Sequence, residues 1–95
     1  MSEPEFPGVW VFLDAQARQP AAVFSTLELG EVCVRKHGFE GMLTWYPLDV
    51  SAYDWAVQTG RFKPRPAPLP RSVLAGFTSA AQPHEHFSVE EVEKL

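Results

Sequence analysis

Hydrophobic patterning divides the chain into alternating strand-like and helix-like stretches. Val9-Trp10-Val11-Phe12-Leu13 is apolar on both alternating faces. A strand with one wet side alternates apolar and polar residues, so a run without a polar position predicts a central strand. Asp14–Pro20 is a polar connection long enough for an open hairpin, and Ala21–Phe24 reads as the returning strand. Next comes a helical period. Leu27, Gly30, Cys33, Val34 and His37 share one stripe, whereas Glu28, Glu31, Arg35 and Lys36 fall mostly outside it. Ser25-Thr26-Leu27-Glu28 has the spacing of a capping box with Ser25 as the cap, and Gly38 is a left-handed stop. Glu31 and Arg35 form a favourable i,i+4 pair. Gly30 costs the helix about 1 kcal/mol relative to alanine, which points to a close approach of helix to sheet.

The aromatic stretch Met42–Gln58 holds Trp45, Tyr46, Tyr53 and Trp55 and is the expected packing centre. Met42–Tyr46 reads as a strand stopped by Pro47, and Asp49 or Ser51 caps a helix that ends at Gly60. A right-handed crossover through the first helix sets this third strand beside the first, in the order 2-1-3, with the first strand antiparallel to both neighbours. Arg61–Arg71 is a Pro-rich extended arm, Ser72–Phe77 a helical turn, and His84–Val89 a short edge strand. The prolines at 64, 66, 68 and 70 are spaced by two, whereas polyproline II ligands repeat every three. The predicted fold class is therefore α+β: a mainly antiparallel sheet of three to four strands with two helices packed on one face. Residues 1–7 are expected as a flexible arm, 8–89 as one domain and 90–95 as an acidic tail.

Composition narrows the function classes. Ninety-five residues support one core. The 45% apolar content, with 13% aromatic, is that of a globular chain. A net charge of −4 argues against nucleic acid, because phosphate contact needs a clustered basic face. Arg61, Lys63, Arg65 and Arg71 do collect in one segment, with Glu85, Glu90, Glu91 and Glu93 near the end. The bland reading of both is solvated surface; the sharper one is a basic strip for an acidic partner. One cysteine, no long apolar run and an acidic start predict a soluble cytoplasmic protein without membrane contact and with Cys33 reduced.

No glycine-rich phosphate loop, CxxC or HExxH occurs. His84 and His86, two apart on a strand, project to one face and are the weak candidates for metal. Zinc normally takes three or four ligands, so no metal and no cofactor is assigned. Cys33 and His37 are i,i+4, the only sequence-local nucleophile and base, but both lie on the apolar stripe, as a buried structural pair would. Asp49 and Asp54 resemble paired carboxylates, yet a cap and a first-turn acid explain them. Tyr53 and Trp55 cannot share a face, so one of them should be partly exposed beside Asp54, the composition of an interaction hot spot.

Val9–Leu13, Val23–Thr26, the Thr44-Trp45-Tyr46-Pro47-Leu48-Asp49 block, Tyr53-Asp54-Trp55-Ala56 and Phe77–Ala80 fall in one order. Over about residues 8–88 the chain resembles a family of small bacterial domains known only as a domain of unknown function. It departs from that pattern at Cys33, where the family has a bulky aromatic, and at Gly30, where it has alanine. The resemblance implies a bacterial origin and brings no activity, cofactor or catalytic residue.

These observations lead to a non-catalytic protein-interaction module, accessory, antitoxin-like or immunity-like, acting on an unidentified protein partner. Its candidate binding residues are Tyr46, Tyr53, Asp54, Trp55, Arg61, Lys63 and Arg65. The alternative is a small-molecule-binding protein or enzyme with a pocket between sheet and Pro-rich arm, using Tyr46, Asp54, Trp55 and His84 or His86. Homo-oligomerisation through a sheet edge is the third.

Overall fold

A computed structural model describes residues 5–64, 66 and 69–88. Among these residues four strands and three helices follow in the order β1 (Gly8–Asp14), β2 (Ala22–Phe24), α1 (Leu27–His37), β3 (Gly41–Pro47), α2 (Ala52–Gln58), α3 (Arg71–Ala75) and β4 (His84–Phe87). The sheet order is β2-β1-β3-β4, and every neighbouring pair is antiparallel. The expected 2-1-3 order and the edge position of the histidine strand are both observed. β1 and β3 pair along their whole length, from Gly8 opposite Pro47 to Asp14 opposite Gly41.

Alternation along these strands gives the sheet two different faces. Trp10, Phe12, Leu43, Trp45 and Phe87 point to one side, where they meet Leu27 and Val34 of α1 and Trp55 and Ala56 of α2. Trp45 and Trp55 lie 5.2 Å apart between ring centroids, so the aromatic stretch does supply the packing centre. Val9, Val11, Leu13, Met42, Thr44 and Tyr46 point to the other side and stay half-buried.

α1 begins one residue later than the capping box predicts. Thr26, not Ser25, takes the extended cap conformation, and its hydroxyl accepts from the Leu29 N–H at 3.2 Å. Leu29 then occupies the third helical position, so Glu28 cannot reach back to close the box. Gly38 ends the helix at φ 65°, as expected. The Glu31–Arg35 pair forms at 3.4 Å. A Cβ on Gly30 would lie 2.9 Å from Leu43 Cδ1 and 3.2 Å from Phe24 Cδ2, so the close approach inferred for this helix is real. Cys33 is only half-buried and His37 is exposed, its ring stacked on Phe39 at 5.0 Å. The buried pair expected of them is not formed, because the stripe bends towards Leu27, Gly30 and Val34.

Ser51 caps α2, its hydroxyl accepting from the Asp54 N–H at 3.0 Å. Asp49 is exposed with φ 65°, a left-handed turn residue rather than a cap; aspartate tolerates that conformation better than most side chains. Phe6, within the segment expected as an arm, sets its ring edge against Trp45 at 6.4 Å, and the Leu48 N–H donates to the Pro7 carbonyl at 2.9 Å. α3 is a third, short helix with no buried residue. Residues 89–95, and with them the expected acidic tail, lie outside the described residues.

Candidate functional site

Among the described residues, the helices leave one face of the sheet uncovered. Register places its residues in rows: Val23 beside Val11, Val11 opposite Thr44, Leu13 opposite Met42, and Val9 opposite Tyr46. The outer row continues with His84 opposite Thr44 and His86 opposite Met42. Val23 is 63% exposed, a large apolar side chain left in water. Two shallow grooves run over this floor. One, of about 280 Å³, is lined by Val11, Leu13, Pro20, Met42, Thr44 and Tyr46. The other, of about 340 Å³, passes between Met42, Thr44, Tyr46 and His84 and the loop carrying Thr78, Ser79 and Gln82.

That loop is held by a residue the sequence reading did not single out. Gln82 is 1% exposed, with an amide satisfied on both sides. Its Oε1 accepts from the Ser79 N–H and its Nε2 donates to the Trp45 carbonyl, each at 2.8 Å. The Trp45 N–H donates in turn to the Pro83 carbonyl at 2.9 Å. β3 therefore keeps hydrogen-bonding past the end of β4, and the loop becomes a fixed rim. A glutamine before a proline carries no signal of burial, which is why sequence alone passes over it.

The candidate binding residues do not converge. Tyr46 lies on the open face. Trp55 is 2% exposed and belongs to the core, so it is not the exposed aromatic of a hot spot. Arg61 lies over the Trp55 ring, 4.9 Å from its centroid, and with Glu5, Phe6 and Thr59 borders a separate pocket. Tyr53 is the partly exposed member of the pair, but it is engaged: its ring meets Phe62 at 5.7 Å and Phe77 at 5.3 Å. Asp54 and Lys63 are exposed elsewhere, and Arg65 falls outside the described residues.

Among the described residues no cluster of three His, Cys, Asp or Glu could hold a metal ion. No helix among them is long and apolar enough to cross a membrane. His84 and His86 do share a face, with ring centroids 5.3 Å apart. On the opposite side of β4, Glu85 meets Glu31 of α1. Burial raises the Glu85 carboxyl above its ordinary value, the hydrogen bond and charge of Glu31 push the same way, and Arg35 opposes them.

No curated protein and no solved structure matches the chain. A family model matches residues 9–93, nearly the whole sequence, and the chain belongs to that family, described as a domain of unknown function (DUF7710).

Proposed function

We propose that this protein is a non-catalytic protein-interaction module of the bacterial cytoplasm, accessory, antitoxin-like or immunity-like, and that it receives its partner on the open face of the sheet. One observation carries this reading: among the described residues the sheet is covered by helices on one side only, and the other side is floored by Val9, Val11, Leu13, Met42 and Tyr46 around Thr44. Contiguous apolar surface with a polar margin is the anatomy of an interface core and rim. The margin here consists of Thr78, Ser79, His84 and His86. The partner offers apolar side chains to the floor and hydrogen-bonding groups to that margin. Tyr46 is the anchor, with a large ring over apolar ground and a hydroxyl for the rim.

Affinity capture from the native host, followed by reconstitution from purified components, tests this. The expected result is a near-stoichiometric complex that Tyr46→Ala and Met42→Glu weaken at least tenfold and Asp54→Asn leaves intact, with all three variants folded. A complex indifferent to both open-face substitutions overturns the assignment of the surface. Dimerisation of the purified protein, lost with the same two substitutions, would make a second copy the occupant instead.

A further inference from the structure

We propose that His84, His86 and Met42 form a binding site for a single soft monovalent metal ion, copper(I), at the outer edge of the open face. The site shares Met42, His84 and His86 with the surface proposed for the partner, but it needs no partner to form. Three observations combine in it. First, the two imidazoles stand 5.3 Å apart between centroids. Two rings bound through nitrogen at about 2.0–2.1 Å to one tetrahedral ion have centroids roughly 5 Å apart, so the spacing fits, and rotation of the perpendicular rings about their side-chain bonds turns their nitrogens to one ion.

Second, His84 is already oriented as a metal ligand. Its Nδ1 lies 2.9 Å from the Gln82 carbonyl oxygen, an acceptor, so this nitrogen carries the proton and Nε2 presents its lone pair. Ligand histidines are commonly fixed by such a bond from the second ring nitrogen. Gln82 is itself immobile, being 1% exposed and hydrogen-bonded to Ser79 and Trp45. The chain therefore holds the tautomer and the backbone beneath it in place.

Third, Met42 is directly opposite His86 across the β3–β4 pair, and His84 is two residues along on the same face. Directly opposite side chains stand with their Cβ atoms about 4.5–5.5 Å apart, within reach of a flexible thioether. Two imidazoles and a thioether are three neutral donors, of which one is soft. Such a set selects copper(I) over zinc, which prefers thiolate, imidazole or carboxylate in a fuller shell. Glu85, the nearest carboxylate in sequence, points to the helix side of the sheet and is excluded by strand alternation.

The test uses silver(I), a redox-inert analogue of copper(I), titrated into the full chain in a Cys33→Ser background that removes the single thiol. One equivalent is expected to bind, moving the Met42 methyl and both imidazole resonances in NMR spectra. His84→Asn and His86→Gln each abolish this binding, and Met42→Leu weakens it at least tenfold, while circular dichroism shows the variants folded. His86 is exposed, so its substitution isolates ligation from folding. Loss of all silver binding with Cys33→Ser overturns the proposal. So does binding that ignores Met42→Leu, or a preference for zinc(II) over silver(I) in direct competition.

Discussion

Gly8 shows how tightly the tryptophan core is built. A Cβ there would run into the Trp45 indole. That ring cannot withdraw, because it is held between the Phe6 edge and Trp55. Gly8→Ala should therefore destabilise the protein by about 1–3 kcal/mol, the usual cost of overpacking, measured as a lower urea midpoint with an unchanged slope. Gln82→Ala acts by a different mechanism. It strands the buried Trp45 carbonyl and the Ser79 N–H, for a loss of about 1–3 kcal/mol, and hydrogen exchange at Ser79 should accelerate with it. Neither residue stands out in the sequence. A glycine before a strand looks like a turn, and the partners of Gln82 are far away along the chain. What decides such positions is a tertiary neighbour, and local pattern holds no record of it. The misplaced cap of α1 has a more local cause: Ser25 and Thr26 are adjacent competing cap residues, and backbone geometry chooses between them, as it chooses Ser51 over Asp49 before α2.

The strands and helices themselves were legible because their periodicity is strong. The unbroken apolar run of Val9–Leu13 does lie mid-sheet, though only Trp10 and Phe12 reach full burial. Its other face is apolar for a reason the core does not supply, and that excess motivates the proposed interface. The juncture of α1 with β4 was not legible, since it depends on register. There Glu85, raised chiefly by burial and then by Glu31, binds its proton more tightly in the folded chain than in the unfolded one. The folded state thus holds more protons than the unfolded state between the ordinary glutamate value and the raised one, so stability falls as pH rises through that window. Melting curves from pH 4 to 7 should show this component of the decline in the parent and its loss in Glu85→Gln, which should melt higher at neutral pH.

Across its described residues, the molecule is one sheet with a dry side and a side left open. The fold class and strand order followed from pattern and handedness, whereas the candidate binding residues scattered once the chain closed. Aromatic richness had suggested a surface, but Trp55 and Tyr53 spend their area on packing. Tyr46 alone of the three stands on the open side, and the interaction and metal proposals both rest on that side of β3. The order β2-β1-β3-β4 also carries a consequence for how the chain assembles. β1 and β3 meet after the crossover helix is laid down, while β4 must return across residues 48–83 to find the far side of β3. Closing that longer loop costs more entropy, which a four-residue strand, the Gln82 bonds and the Tyr53–Phe62–Phe77 cluster help to offset. The last strand should therefore be the first to detach, taking Phe87 and the rim of the open face with it, and the amides of His84–Phe87 should exchange with solvent faster than those of β1 and β3.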